Sequence, residues 1–502
     1  MILMNLPFTM TLSVALLCLS MGARGEGTTL LVGGAKQLFI DDLFFESSKN
    51  ISLKVHPAYK TGEKNLQREK PWESATLNWF TVMQEQGKYR MWYECYDIEG
   101  WPTGDDTSFC YAESQDGVVW TRPNLGLFTY QEDTETNILF RLIGPEGAHS
   151  RVHGTGVFKD PSAPPEARYK AVSQGSFTSE PPHPIGWGSG KSYLNVAGMV
   201  SPDGLHWTRL PHSVLHEFAD SQYSCFWDDS LNKYILYGRV AGHGRAIGRS
   251  QSNEFEHFDS LKLVLQTGEN DPPNSDLYNP AAMKYPFADR AYLMFPSLYQ
   301  HDPDTLDVRL AVSRDGIHWS WPERDVPFLP LGEAGSYDSA VIYMGQGILR
   351  SEDELWQYYG GSPLPHNYEG GLDTLIQPDN GITYSRVVTR LDGYVSAQSG
   401  SEMGSFKTPP MIFEGDTLEL NVKVHEGGSL RVGLLDENDN SIPGYSAEDC
   451  IPITGDHINA KVQWKRGSDV SIRSSRPTKM HIVMTNADLY AFQFKRSVSE
   501  GG

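Results

Sequence analysis

The chain has 502 residues, among them 48 glycines and 31 prolines, with 11% aromatic residues and a formal net charge of −21. Its length allows two or three domains, and a hydrophobic fraction of 39% excludes a wholly disordered chain. The strong negative charge disfavours nucleic acid and anionic membranes as partners. A solvated acidic surface explains the charge equally well, so the charge alone identifies no partner.

Residues 1–25 have the features of a secretory signal peptide. The apolar run from Leu6 to Leu19 is too short to span a bilayer comfortably, and the small residues around Ala23 suit cleavage. The usual pattern is broken in one respect, because no Lys or Arg precedes the apolar run. The sequence therefore predicts a mature protein that is secreted or periplasmic, with no membrane contact beyond export.

Four cysteines remain after the predicted signal: Cys95, Cys110, Cys225 and Cys450. They allow three disulfide pairings. Cys95 and Cys110 lie on strands predicted to be neighbours in one hairpin, so these two could meet. Free buried thiols are an alternative of about equal weight.

An internal repeat determines the predicted fold. Three segments share the pattern Ser-x-Asp-Gly-x-x-Trp, namely Ser114–Trp120, Ser201–Trp207 and Ser313–Trp319, and weaker copies occur at Ser250–Phe258 and Leu391–Tyr394. Glycine tolerates positive φ and the Asp side chain caps the backbone, so each copy predicts a tight turn between two strands. An aromatic-rich strand precedes every copy. Five such four-stranded units predict a five-bladed β-propeller over residues 71–394.

The segments on either side of the repeat have their own predictions. Residues 26–70 are predicted to wrap the propeller and help close its ring. Residues 395–497 alternate polar and apolar side chains, which predicts a C-terminal antiparallel β-sandwich, and residues 498–502 are a tail. The acidic turn Asp436–Asn440 suits calcium, although a solvated hairpin tip is the favoured interpretation. The predicted fold class is all-β, a five-bladed β-propeller followed by a β-sandwich.

Candidate catalytic residues come from aligning the starts of the five innermost strands, which a propeller gathers at one end of a central funnel. The aligned position is ionisable in every unit: Glu73, His153, Asp220, Asp276 and Asp338. Crowded carboxylates repel, so some keep a proton near neutral pH, and glycosidic cleavage needs one protonated and one ionised carboxyl. We therefore predict the four acids to be catalytic. The alternative is that they cap loops or bind one structural calcium ion at the axis, and no other cofactor is predicted.

A second set of residues is predicted to bind the substrate. Aromatic side chains beside the acids could stack on sugar rings, Arg239 could reach the funnel as a clamp, and two residues come from the Gly-rich loop 360–371. The full set is His153, Arg239, Trp72, Tyr223, Tyr278, Tyr337, His366 and Glu369. Glu94, which lies mid-strand, is predicted to face an inter-blade salt bridge rather than a substrate.

Over residues 70–395 the chain resembles the five-bladed propeller glycoside hydrolases. Two groups are similar, the invertases and fructanases and the arabinanases and β-xylosidases, and so is a set of secreted bacterial propeller proteins. The resemblance implies that Glu73 occupies the position of the base or nucleophile and Asp220 that of the proton donor. This chain departs from them in having His153 at the second acid position, Asp at the donor position, and no Asn-Asp-Pro or Arg-Asp-Pro signature.

The predicted function is an exported glycoside hydrolase that acts on a plant or algal oligosaccharide or polysaccharide. One alternative is a sialidase-like enzyme, whose Asp-box is one residue longer than this repeat, although no arginine triad is evident. Another is a non-catalytic carbohydrate-binding propeller. Carboxyls about 5–10 Å apart would favour the enzyme, and wider spacing or an intervening arginine would favour the binding protein. The sequence indicates no oligomeric state.

Overall fold

The computed structural model of the chain describes residues 28–99, 107–141, 152–177, 194–217 and 219–497. The predicted signal peptide, residues 1–25, and the tail lie outside these ranges. Strands dominate the described residues, and their single α-helix, Gly371–Leu375, has only five residues. No helix in the described ranges is long and apolar enough to cross a membrane. Short 3₁₀-helices are formed by Asp42–Phe44, Pro71–Glu73, Pro165–Ala167 and Ser471–Arg473.

Five short strands precede the repeat. They are β1 (Leu30–Gly33), β2 (Gln37–Leu38), β3 (Ser47–Lys49), β4 (Ser52–Val55) and β5 (Tyr59–Lys60).

Three four-stranded antiparallel sheets follow, each built from four strands that are consecutive in the chain. The second strand of the first and third sheets contains at least two aromatic residues, as the repeat predicted, whereas that of the second sheet contains one, Tyr169. The strands are β6 (Thr76–Glu85), β7 (Lys88–Tyr96), β8 (Thr107–Ser114), β9 (Ile138–Phe140), β10 (Gly156–Lys159), β11 (Tyr169–Ser176), β12 (Leu194–Ser201), β13 (Thr208–Leu215), β14 (Ser224–Asp228), β15 (Lys233–Gly242), β16 (Gly244–Ser252) and β17 (Lys262–Leu265).

The fourth and fifth predicted units do not form two separate four-stranded sheets, because strands of the fourth unit join the sheet of the fifth. Their strands are β18 (Ser275–Leu277), β19 (Ala282–Lys284), β20 (Tyr292–Met294), β21 (Ser297–Gln300), β22 (Thr305–Val308), β23 (Ala311–Ser313), β24 (Trp319–Ser320), β25 (Val341–Met344), β26 (Leu349–Ser351), β27 (Glu354–Ser362) and β28 (Thr383–Arg390). Pro280 and Pro296 lack the N–H needed by a ladder, so they separate β18 from β19 and β20 from β21.

As a result, β19, β20, β23 and β24 form a fourth four-stranded sheet. The separated halves β18, β21 and β22 join β25, β27, β28 and β5 in one eight-stranded sheet, in which β26 also pairs with β27. The described residues are thus all-β, with a propeller-like ring of four four-stranded sheets and this larger neighbour.

The remaining strands are β29 (Val395–Ser399), β30 (Gly404–Lys407), β31 (Met411–Phe413), β32 (Thr417–Leu435), β33 (Gly455–Lys461) and β34 (Lys479–Lys495). All of these except β31 join β2, β3 and β4 in a curled eight-stranded sheet, whereas β31 pairs in parallel with β1. The register between β32 and β34 shifts between Val424 and Ser429, which lets these long strands bend. They enclose a core that contains Phe39, Trp464 and Phe492.

The N-terminal segment is placed differently from the sequence prediction. β4 pairs with β29, β3 with β30 and β2 with β34, so residues 37–55 belong to the curled sheet. Only β5 joins the ring side, at the edge beside β28. These pairings join residues more than 320 positions apart, which no local pattern in the sequence reveals.

Each Ser-x-Asp-Gly turn is closed by its own side chains and fastened to a neighbouring sheet. Within Ser201–Trp207, Ser201 Oγ accepts the N–H of Gly204 at 2.9 Å, and Asp203 Oδ1 accepts the next two N–H groups at 2.8 and 2.9 Å. The Gly204 carbonyl accepts a hydrogen bond from Trp92 Nε1 of β7 at 2.6 Å. The repeat therefore connects one sheet to the preceding one.

The same contact recurs twice. Tyr237 Oη of β15 donates to the Gly316 carbonyl at 2.6 Å, and Tyr358 Oη of β27 donates to the Gly117 carbonyl at 2.5 Å. The second contact joins the sheet that contains β27 to the first sheet of the ring.

Cys95 and Cys110 lie side by side on β7 and β8, as their spacing predicted. Their Sγ atoms are 3.6 Å apart, and these two, Cys225 and Cys450 are free and buried.

Gly204→Ala is expected to lower the free energy of unfolding by about 3 kcal/mol, and Gly87→Ala by about 1 kcal/mol, in urea denaturation. The two glycines have φ values of 79° and 76°, so both variants carry the left-handed strain of about 1–2 kcal/mol. Only at Gly204 would the added Cβ lie 2.8 Å from the Trp92 ring, which adds an overpacking cost of about 1–3 kcal/mol. Equal losses would contradict the inter-sheet role of the turn.

Candidate active site

Two glutamine amides hold the starts of the innermost strands together. Gln222 Nε2 donates to the carbonyls of Phe80 and Thr155, at 3.1 Å each, and Gln346 Nε2 donates to the Tyr223 carbonyl at 2.5 Å. At Gly154, whose φ is 68°, a Cβ would lie only 2.1 Å from the Ser221 carbonyl oxygen. Such close backbone approach requires glycine and brings the segments on either side of it into contact.

This approach assembles the Asp220 triad, which consists of Glu94, His153 and Asp220. His153 Nδ1 lies 2.8 Å from Glu94 Oε1, and His153 Nε2 lies 3.0 Å from Asp220 Oδ1. Glu94 also accepts the Tyr96 hydroxyl at 2.7 Å and the Gly154 N–H at 2.9 Å. The three side chains come from three different sheets or their leading loops.

The triad runs from the interior to the surface. The Glu94 side chain is fully buried, that of His153 is 7% exposed and that of Asp220 is 38% exposed. Because both ring nitrogens of His153 face carboxylate oxygens, each nitrogen–oxygen pair needs a proton. The triad is therefore a proton-holding unit whose outer end is a carboxyl group that solvent can reach.

Tyr278 connects the triad to two arginines. Its carbonyl oxygen accepts Ser221 Oγ at 3.1 Å and Arg239 Nε and Nη2 at 3.2 and 2.9 Å. The guanidinium groups of Arg239 and Arg245 lie 4.6 and 5.4 Å from the centre of the Tyr278 ring. Burial raises the pKa of Tyr278, the charge of Arg239 lowers it and that of Asp220 raises it, so both charges act on the same ring.

Tyr278, Arg239 and Arg245 form one wall of the site, and Asp276 lies on the other side of this wall. It is 2% exposed, and its Oδ2 accepts Arg245 Nη1 and faces His301 Nε2, both at 3.1 Å. Asp276 Oδ1 and Arg245 Nε are buried and have no hydrogen-bond partner within the described ranges. Buried polar atoms are normally paired, so this pair of atoms suits a ligand or solvent contact.

Aromatic rings complete the wall. Trp79 packs against Tyr278 and Tyr343, with ring centroids 6.2 and 4.9 Å apart, and its Nε1 has no partner among the described residues. His366 lies 4.8 Å from the Tyr278 ring, and burial, followed by the charge of Arg245, lowers its pKa. Trp79 is itself buried, so the aromatic faces available to a sugar ring are those of the partly exposed Tyr278 and Tyr343.

We call the triad, the two arginines and the aromatic wall around Tyr278 the funnel site. Six of the twelve predicted site residues lie in it: Asp220, Asp276, His153, Arg239, Tyr278 and His366. The structure places Glu73 elsewhere. Pro71–Glu73 forms a 3₁₀-helix before β6, and the Glu73 carboxylate is fully buried, accepting Arg122 Nε at 2.8 Å and Tyr93 Oη at 2.5 Å. Trp72 is buried as well, with Nε1 bound to Asn137.

Four more predicted residues lie outside the site. Asp338 is buried and accepts Lys60 Nζ at 2.6 Å and Tyr359 Oη at 2.8 Å, and the neighbouring Tyr337 hydroxyl bonds within the same cluster. Tyr223 is buried, with its hydroxyl on the Ala219 backbone, so its ring is not a stacking surface. Glu369 is exposed on the loop before the short helix.

Sequence reasoning missed Glu94, Trp79, Tyr343, Arg245 and His301. Glu94 was predicted to make an inter-blade contact, and it does, but with His153 of the site. Trp79 lies six residues after Glu73. An alignment with the first unit moved along by six residues would therefore have placed Trp79 at the position that His153 and Asp220 occupy in the next two units. The described residues contain no group of three or more His, Cys, Asp or Glu side chains arranged to hold a metal ion, and calcium at the axis stays a prediction.

No protein-family model matches this chain. No curated protein matches it either. Solved structures that are similar include a glycosyl hydrolase from Bacteroides ovatus, at 13% identity, TM-score 0.43, and coverage of 71% of this chain and 99% of that one. Another is an N-acetylgalactosamine deacetylase from F. plautii in complex with blood group B trisaccharide, at 13% identity, TM-score 0.44, and coverage of 67% and 95%.

Lys60→Met is expected to lower the free energy of unfolding by about 3 kcal/mol near pH 7, because it strands the buried Asp338 carboxylate. Burial alone would raise the pKa of Asp338, but hydrogen bonds from Lys60, Ser336 and Tyr359 outweigh it and lower that pKa. The stabilisation is therefore present above the unfolded pKa of about 4 and is lost as the pH falls through the folded value. The loss caused by the variant should shrink near pH 3.

The control for this prediction is Lys64→Met. Lys64 lies on the same segment but pairs with the exposed Asp379 at 3.7 Å, so its loss should stay below about 1 kcal/mol. Equal losses for the two lysine variants in urea denaturation would contradict the assignment of Asp338 to a buried ion pair.

His153→Ala is expected to lower the free energy of unfolding by about 3 kcal/mol, because it removes the partner of the fully buried Glu94 carboxylate. Asp220→Ala removes the exposed end of the same triad and should lower the free energy of unfolding by less than about 1 kcal/mol. Urea denaturation of both variants tests this asymmetry. If Asp220→Ala is as destabilising as His153→Ala, Asp220 is a structural rather than a solvent-facing carboxylate.

Proposed function

We propose that this chain is an exported glycoside hydrolase whose active site is the funnel site. The observation that carries the proposal is the exposed Asp220 carboxyl, held by His153 and Glu94, beside an aromatic wall that contains Tyr278. A carboxyl group supplied with protons by a buried network, next to aromatic faces, is the combination that cleavage of a glycosidic bond needs.

Asp220 and Asp276 form the proposed pair of carboxyls. Ser221, the neighbour of Asp220, binds the Tyr278 carbonyl, and Asp276 lies two residues before Tyr278, so both acids border one ring. Asp276 binds Arg245 and faces His301 through Oδ2, and its Oδ1, which has no partner among the described residues, is the atom assigned to act as base or nucleophile. Asp220 acts as the general acid.

The Asp220 triad supplies the proton in this scheme. Asp220 protonates the leaving oxygen as the glycosidic bond breaks, while the anomeric carbon bonds either to a water that Asp276 deprotonates or to Asp276 itself, whose ester is then hydrolysed by water. Because His153 shares protons with both carboxylates, it can return one to Asp220 after the product departs. Two acids in different environments, one on a histidine and one on an arginine, divide the acid and base roles.

Four finer points, on architecture, location and substrate, belong to the same proposal. β25, β27, β28 and β5 are the fifth blade of the propeller, extended by the halves that Pro280 and Pro296 separate from the fourth. The curled sheet is a β-sandwich-like unit that packs behind the propeller. Residues 1–25 direct export, and the substrate is a plant or algal oligosaccharide or polysaccharide.

A non-catalytic carbohydrate-binding propeller is the second candidate. One observation favours it: the Arg245 guanidinium is bound to Asp276, and an arginine beside the acids is a feature of a binding site rather than of a glycosidase pair. This candidate keeps the aromatic wall as the glycan surface and assigns no chemistry to Asp220.

The enzyme and the binding protein are distinguished by an assay of hydrolysis. A panel of plant and algal oligosaccharides is incubated with wild type, Asp220→Asn and Asp276→Asn. We expect turnover of at least one substrate by wild type and a loss of about 100-fold or more in kcat/KM in each variant, since a general acid or base contributes this much. Asp373→Asn, which changes an exposed acid on the short helix, is the matched control and should retain activity.

Chemical rescue sharpens the test. Azide added to Asp276→Ala should restore turnover and yield a glycosyl azide if Asp276 is a base or nucleophile next to the anomeric carbon. No turnover by wild type together with saturable glycan binding would overturn the enzyme in favour of the binding protein. Full activity in folded Asp220→Asn would remove Asp220 from the mechanism.

A further inference from the structure

Arg239 is a partly buried cation without a carboxylate partner among the described residues. Its Nε and Nη2 donate to the Tyr278 carbonyl. Arg90, Arg122 and Arg386 each bind a Glu carboxylate at 2.8–3.1 Å, whereas Arg239, like Arg249, donates to a neutral acceptor. What distinguishes Arg239 is its place, because its guanidinium lies 4.6 Å from the centre of the Tyr278 ring beside the proposed site, where it is suited to bind an anionic group.

Arg245 adds a second cation on the same side of the sheet. It pairs in register with Ala241, two residues beyond Arg239 on β15, and side chains two apart on a strand face the same way. Both guanidinium groups accordingly lie over the Tyr278 ring. Arg245 is ion-paired with Asp276, so of these two cations Arg239 is the one without a carboxylate ion pair among the described residues.

We propose that Arg239, assisted by Arg245, binds the carboxylate of an acidic sugar, so that the substrate of the proposed enzyme is a uronic-acid-containing oligosaccharide. This inference rests on the proposed function, because it takes the site around Asp220 and Tyr278 to be where the sugar binds. The role of the two arginines is the part that is new. The planar guanidinium group of Arg239 matches a carboxylate, and its position over the Tyr278 ring places it beside the face proposed to bind a sugar.

The test is binding of galacturonate, glucuronate and mannuronate oligosaccharides, compared with their methyl esters, by isothermal titration calorimetry. Asp220→Asn protein is used so that no turnover occurs, with sulfated galactan oligosaccharides as a further arm. Arg239→Gln is introduced in this background. Arg350→Gln is the matched control, because Arg350 is exposed, lies 6.0 Å from the Phe287 ring and donates to a backbone carbonyl.

We expect at least one uronate oligosaccharide to bind about tenfold more tightly than its ester, since a hydrogen-bonded charge pair contributes on this scale. Arg239→Gln should abolish this preference and Arg350→Gln should preserve it, and added salt should weaken it. Equal binding of acid and ester, a preference for the sulfated arm, or no binding of any uronate would overturn the inference.

Wild-type hydrolysis separates this inference from the proposed function. Asp220-dependent turnover of neutral oligosaccharides with no carboxylate preference overturns the acidic substrate and leaves the glycosidase standing. Arg239-dependent binding of a uronate that wild type never cleaves supports the carboxylate site and overturns the glycosidase.

Discussion

The hydrogen bond between an aromatic side chain of one sheet and the glycine carbonyl of a turn in the next is the contact on which this structure depends. It requires a turn whose carbonyl points outward, and the Ser and Asp of the repeat provide this by accepting the turn's own N–H groups. It also requires glycine, since at Gly117, Gly204 and Gly316 a Cβ would lie 2.8–2.9 Å from the donor side chain. Three such contacts set the packing of successive sheets, and that packing decides where their inner strands begin.

The funnel site follows from this convergence. Close backbone approach at Gly154 places His153 between Glu94 of the preceding sheet and Asp220 of the following one, so a buried acid and an exposed acid share one imidazole. The split fourth sheet supplies the opposite wall. Pro280 and Pro296 detach its strand starts, and Asp276 and Tyr278 lie on the detached part. Charge and stacking therefore meet at one place because the ring brings together segments that are distant in sequence.

The sequence predicted local features well and long-range ones unevenly. The turns, the aromatic strands and the positions of His153, Asp220 and Asp276 follow from a repeat that can be aligned by eye. Glu73 was misplaced because the 3₁₀-helix before β6 moves it out of phase with the other units, and Arg122, which neutralises it, belongs to no repeated position. Arg245 was missed because its role depends on a partner in another sheet. The pairing of the N-terminal strands with the curled sheet has no periodic signal at all.

The measurement that tests the central claim most directly is a crystal structure of Asp220→Asn protein with a bound oligosaccharide. The account predicts a sugar ring against Tyr278, the glycosidic oxygen within hydrogen-bond distance of residue 220, and an acidic group at Arg239. A second cavity, of about 750 Å³ and lined by Trp227 and Lys284, lies at the opposite ends of the inner strands. An oligosaccharide bound in that cavity instead would contradict the account. That result would make the Asp220 triad a structural network and place the function of the protein on its other face.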